Sequence, residues 1–417
     1  MLQRSIIARH ERIPALSGVR RVISLARYAT LLKTRELRQL FAVSVVGRLP
    51  IGITGLAVLI LVQTSRGSFA EGGVATGCYV AGLALVAPAL GRIIDRYGPL
   101  AALRASALLF PAALIGLAAT VTHPAPAWLT LFLAAAAGAS FPPITVCMRT
   151  YFKQRFADDV LLATAYSLES VLIEMIFILG PMLVALFVAL ASPVAAVGFA
   201  AACGGVGAAL FLRLPALRNW RVEPRSGPSL LGPLAEPGFL PLIAVVMCFS
   251  TAFGLMEIGI TAYATEARSP ALAGVLLGLM SAGSAFGGLA YGSRSWRLGL
   301  TRQFALTLSL MGAGLAVLAL PWASWTFAAW SVLAGVVMAP ALIIQSMLVA
   351  KTVRAEHSTE AFTWSASSLL AGVGIGLAAG GFLVEQFRSG AALAAAAGSA
   401  LLAALGAHFV PERRRKG

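Results

Sequence analysis

Gly91-Arg92-Ile93-Ile94-Asp95-Arg96-Tyr97-Gly98 joins two apolar runs, each long enough to cross a bilayer. The first Gly permits close helix approach, an acid and two bases follow at a membrane surface, and the second Gly ends the turn. The runs on either side recur along the chain. With 59% hydrophobic and 12% charged residues over 417 positions, a water-soluble fold could not hide this much apolar surface, so lipid is the solvent for most of it. A span needs about 20 apolar residues at ~1.5 Å each to cross ~30 Å of hydrocarbon. Twelve runs qualify, near 39–62, 72–91, 100–121, 127–148, 161–190, 194–212, 239–263, 271–291, 303–320, 325–349, 361–384 and 391–410.

The net charge of +16 could suggest nucleic acid as a partner, but its distribution excludes that reading. With a cytoplasmic amino terminus, 28 of the 32 bases fall in cytoplasmic segments. Arg66, Arg268 and Arg388 lie on the other side, and Arg48 lies inside a span. Positive charge marks the cytoplasmic face, which places both termini there. Residues 1–38 form a basic segment with spaced Ile, Leu and Val, readable as an amphipathic helix on anionic lipid or as a disordered tail. No cleavable signal peptide is evident, because the first strongly apolar run starts near residue 39. Cys78, Cys147, Cys203 and Cys248 have no metal spacing and read as packing residues.

The chain also repeats itself. Ala137-Gly138 with Pro143 recurs 197 positions later as Ala334-Gly335 with Pro340, and Gly91 recurs at that offset as Gly288. Gly52-Ile53-Thr54 recurs as Gly259-Ile260-Thr261. The expected organisation is a half at 39–212, a Pro-, Gly- and Arg-rich cytoplasmic linker at 213–238, a second half at 239–410 and a basic tail at 411–417.

The motif at 91–98, between the second and third spans, resembles the G-x-x-x-D-R-x-G signature of the major facilitator superfamily (MFS). The resemblance extends over roughly residues 39–410 and is nearest to bacterial efflux permeases. It implies an all-α membrane fold, twelve transmembrane helices in two six-helix halves, with alternating access about a central cavity. The sequence departs from the pattern in places. Pro99 and Leu100 follow the hinge where bases are usual, and its twin at 288–294 has lost the acid. Gly180-Pro181 resembles the core of the antiporter motif in helix 5, facing the other half, but lacks the glycines that should follow. Arg149 is read at the cytoplasmic end of its span rather than mid-helix.

Ionisable groups inside spans are costly and are functional candidates. These are Arg48 in span 1, Glu169 and Glu174 in span 5, and Glu257 in span 7. The depths of the two span-5 acids bracket that of Arg48. Five residues apart, they point about 140° away from each other, whereas Glu174 and Pro181 differ by only ~20°. Glu174 is therefore assigned as the proton-accepting or substrate-facing acid and Glu169 as the partner of Arg48; the reverse assignment stays open, as does a purely structural ion pair. Glu257 is a second proton or cation candidate, or else a residue of an outer vestibule in water.

The resemblance adds cavity candidates: Thr54, Phe141, Tyr166, Tyr263, Trp330, Gln345 and Trp364. Aromatic residues at such places also serve as packing. No cluster of inward-facing bases is visible, which favours an amphipathic or weakly basic molecule over a sugar phosphate. The motif also reads as a latch. Asp95, steadied by Arg96 or Arg149, would meet the amino terminus of span 11 at Ser358-Thr359-Glu360, with Gly91 and Gly98 shaping the turn.

The expected function is a secondary transporter for proton-coupled efflux, with a proton-coupled importer as the alternative. A receptor or enzyme is disfavoured, because no catalytic constellation or phosphate-binding loop is found. The expected partners are a small-molecule substrate, protons and membrane lipid, with no nucleic acid, cofactor or metal. The expected protein is a monomer in the bacterial inner membrane.

Overall fold

The computed structural model describes residues 25–66, 69–123, 125–218, 220, 222, 232–269 and 271–410. Most of the amino-terminal segment and the basic tail at 411–417 lie outside the described residues. Twelve helices are long and apolar enough to cross a membrane: spans 1 (Arg35–Arg66), 2 (Glu71–Tyr97), 3 (Pro99–Thr122), 4 (Ala127–Arg155), 5 (Asp159–Leu190) and 6 (Pro193–Phe211), then spans 7 (Phe239–Ala264), 8 (Leu272–Gly292), 9 (Leu300–Leu318), 10 (Ser324–Thr352), 11 (Ala355–Phe387) and 12 (Ser389–Ala407). A short amino-terminal helix, Leu25–Leu32, precedes them. No strand occurs among the described residues.

Local chemistry explains where the spans stop. Gly98 closes span 2 with φ +81, a left-handed backbone that favours glycine, and Pro99 opens span 3 at its first turn. The Asp158 side chain accepts from Val160 N to cap span 5, and Ser192 accepts from Ala195 N to cap span 6. Span 4 breaks between Ala139 and Ile144 at Pro142-Pro143, and span 10 breaks at Val336-Val337. The helices run past their apolar cores at the end that carries residues 91–98, here called the hinge end. Span 4 continues to Arg155, so Arg149 sits about 9 Å inside it rather than at its end. Charge stops an apolar run without stopping a helix whose charged groups find partners.

Spans 1–6 pack together, as do spans 7–12. Glycine sets the closest crossings. A Cβ on Gly138 would strike the Tyr79 carbonyl of span 2, and one on Gly335 would strike the Met280 carbonyl of span 8. The repeated Ala-Gly thus makes the same crossing in each half. One apolar core fills the second half and continues into the hinge end of the first. A separate core fills the far part of the first half. The halves are therefore sealed together at the hinge end and part towards the other.

Candidate functional site

At the hinge end the carboxylate of Asp95 spans two backbone groups. Oδ1 accepts the N–H of Thr359 at 2.9 Å and Oδ2 that of Glu360 at 2.8 Å. These N–H groups belong to the first turn of the helix Ser358–Phe387, where no intrahelical acceptor exists and the dipole favours an anion. Neither Arg96 nor Arg149 steadies this contact. Arg96 is exposed, its guanidinium 5.1 Å from the Tyr97 ring centroid, because it follows Asp95 on the outward side of the last turn. Arg149 turns into the first half instead. The base at this crossing is Arg92, which donates to Glu360 Oε1 from Nε at 3.0 Å and Nη2 at 2.6 Å. Gly91 makes room for this crossing, since a Cβ there would lie 2.8 Å from Glu360 Cα.

More bonds close the same end. Lys153 donates to Ser358 Oγ and the Val353 carbonyl, and Thr150 meets Thr359. On the opposite flank Thr164 donates to the Gly292 carbonyl and Ser167 to that of Gly288. Tyr28, from the amino-terminal helix, contacts Ser167 at 2.8 Å and donates to the Leu289 carbonyl at 2.9 Å. Burial raises its phenol above the ordinary value. The acid-free twin at 288–292 is thus held through its carbonyls. Beyond the span ends, the hydrogen bond from Arg354 to Glu236 raises the guanidinium further and ties the end of the linker to the start of span 11.

Deeper in the first half lies a charged cluster. Arg48 and Glu169 are each 0% exposed and pair at 3.3 Å. Arg149 joins them, its Nε lying 3.1 Å from Oε1 and 3.0 Å from Oε2 of Glu169. Ser44 holds Arg48 by its hydroxyl at 3.0 Å and its carbonyl at 3.3 Å. Two bases therefore converge where the sequence showed none clustered.

Glu174 stands elsewhere. Its Oε1 accepts the hydroxyl of Ser284 in span 8 at 2.8 Å, and Ser284 Oγ in turn accepts Ala339 N at the break of span 10. One carboxylate of the first half thereby reaches two spans of the second. Glu257 is exposed on span 7, and its carboxylate has no hydrogen-bond partner among the described residues.

The profile of the Major Facilitator Superfamily matches residues 40–268, more than half of the chain. The chain belongs to the major facilitator superfamily. Among solved structures, a bacterial homologue of the iron transporter ferroportin in its outward-facing state is 16% identical, with a TM-score of 0.73 over 90% of this chain and 99% of that one. The Escherichia coli fucose:proton symporter is 13% identical, with a TM-score of 0.70 over 90% and 98%. The human organic anion transporter MFSD10 is 16% identical, with a TM-score of 0.67 over 90% and 100%. At these identities the likeness is one of fold. No curated protein sequence matches the chain.

As an MFS protein the chain is a multi-pass membrane protein, and its remaining candidates can be placed on the family's plan. Gly180 does not face the other half. It packs on Gly52 of span 1 in its own half, where a Cβ on either residue would strike the other helix's backbone; Pro181 is exposed. The ~20° alignment with Glu174 overlooked how far span 5 runs beyond the inter-half contact. Several cavity candidates are packing groups in this MFS chain. Thr54 is 1% exposed, and Phe141 lies edge-on to Phe110 at 5.4 Å. Tyr166 is fully buried, touches Phe362 across the seal and donates to the Arg149 carbonyl. Tyr263 stacks on Phe327 at 4.0 Å, and Trp330 leans on Trp322. Gln345 donates to Ser365 but leaves Oε1 unpaired, and Trp364 leaves Nε1 unpaired. Tyr28, Lys153 and Ser284 gave no signal in the sequence, because a lone Tyr, Lys or Ser acquires meaning only from what folds against it.

Proposed function

We propose that this MFS transporter is a proton-coupled secondary transporter that exports a small amphipathic organic molecule by alternating access. It acts as a monomer in the bacterial inner membrane, with both termini cytoplasmic. The units 39–212 and 239–410 rock about the site, joined by 213–238. The observation that carries this reading is Glu174, an acid of the first half whose carboxylate is held by Ser284 of the second. Ionised, it accepts that bond and favours the arrangement open away from the hinge end. A proton arriving from outside removes the charge and lowers the cost of carrying the residue through a closed, drier intermediate. Release of the proton on the cytoplasmic side resets the cycle. Asp95, held by Thr359 and Glu360, serves as the cytoplasmic latch of the outward-open form.

The test is transport in proteoliposomes under an imposed pH gradient, screened over amphipathic drugs, sugars and amino acids. Glu174→Gln is expected to abolish substrate-driven proton movement. An unchanged stoichiometry in that variant moves the proton to Glu169 or Glu257, or removes it from the cycle. A proton-coupled importer is the second reading, favoured by the fold shared with the fucose:proton symporter. The same assay separates them, since import would move substrate and protons in one direction.

A further inference from the structure

The Arg48–Glu169–Arg149 cluster does not balance. Two guanidinium groups face one carboxylate, leaving one positive charge deep among spans 1, 4 and 5. An isolated charge at such depth is costly. Among the described residues no further acid pairs with it. Asp95 spends its carboxylate on span 11, and Glu174 spends its own on Ser284.

The donors show where an opposite charge would go. Arg48 directs Nε and Nη2 to Ser44 and Nη1 to Glu169. Arg149 meets Glu169 through Nε alone. Its terminal Nη1 and Nη2 have no protein acceptor among the described residues, yet they are not walled in, and the side chain is 14% exposed. A guanidinium fork matches a carboxylate in two-point fashion. Those two donors and that charge fit one carboxylate group, which accepts at both oxygens. A dianion would leave the cluster negative, and an ammonium would add to the excess.

We propose that Arg149, backed by the Arg48–Glu169 pair, forms a recognition site for the carboxylate of a singly charged organic acid, and that this acid is the transported molecule. The second clause rests on the transporter reading above; the binding site does not. The substrate is thus an amphipathic anion, not a weak base.

The experiment uses the full chain in lipid nanodiscs and follows phenylglyoxal modification of Arg149 by peptide mass spectrometry. The probes are benzoate and phenylacetate, against benzylamine and benzyl alcohol. Either carboxylate is expected to slow modification about fivefold at roughly four times its dissociation constant, while the amine and the alcohol have no effect. Glu169→Gln removes the competing negative charge and is expected to lower the half-protecting concentration about tenfold; a merely structural cluster would not tighten. Arg149 unreactive throughout, no protection by either carboxylate, or equal protection by benzylamine overturns the proposal. If Glu169→Gln does not fold, the comparison of probes on the unaltered protein still decides. Glu174→Gln is expected to keep the protection while losing proton coupling, so failure here and failure of the proton reading are told apart.

Discussion

Asp95 places its two oxygens on consecutive backbone N–H groups, which only a carboxylate can do. Asparagine keeps one acceptor and turns a donor towards the other N–H. Asp95→Asn is therefore expected to weaken the sealed hinge end by about 1–2 kcal/mol and to slow transport several-fold. Transport at full rate removes the latch. At this scale the sequence was legible where charge had to be satisfied. An Arg and a Glu inside neighbouring spans need one another, and Arg48 with Glu169 do pair. Arg149 was misplaced because its surroundings stop being apolar before its helix stops. Arg92 stood inside the motif, but nothing in its type distinguished it from Arg96; only the helix surface on which each falls separates the paired base from the exposed one.

Between elements, glycine decides how closely helices cross. Span 1 and span 5 approach until Gly52 and Gly180 are nearly in backbone contact. Adding a methyl to an overfilled crossing costs typically ~1–3 kcal/mol. Gly180→Ala is expected to lower the melting temperature of the purified protein by several degrees. Gly73→Ala in span 2, where a Cβ meets nothing within 4 Å, is the matched control and is expected to leave it unchanged. Equal effects would mean that the crossing is looser than described. Helix existence could be read from apolar runs alone, and the repeated Ala-Gly of spans 4 and 10 from its spacing, though not the crossings that it makes. Which neighbour Gly180 meets could not, since an angle around one helix says nothing of the length over which a second helix stays beside it.

For the molecule as a whole, one conformation is in view, sealed at the hinge end. Tyr28 helps to select it by touching Ser167 of one half and the Leu289 carbonyl of the other. Tyr28→Phe removes the bond to the Leu289 carbonyl, about 1 kcal/mol. Spin labels at His123 and Leu320, at the far ends of the two halves, are expected to gain a shorter-distance population in that variant. An unchanged distance distribution would make Tyr28 a bystander. Twelve spans and two halves follow from composition and repetition, but the choice of state does not, because one sequence must accommodate every state of the cycle. The seal itself has a further consequence. Beside the apolar core that runs through it lie hydrogen bonds to carbonyls and to a helix terminus. Greasy surfaces resist separation because water cannot replace what they lose. Polar partners can be handed over to arriving water one at a time, so the seam comes undone first where it is polar.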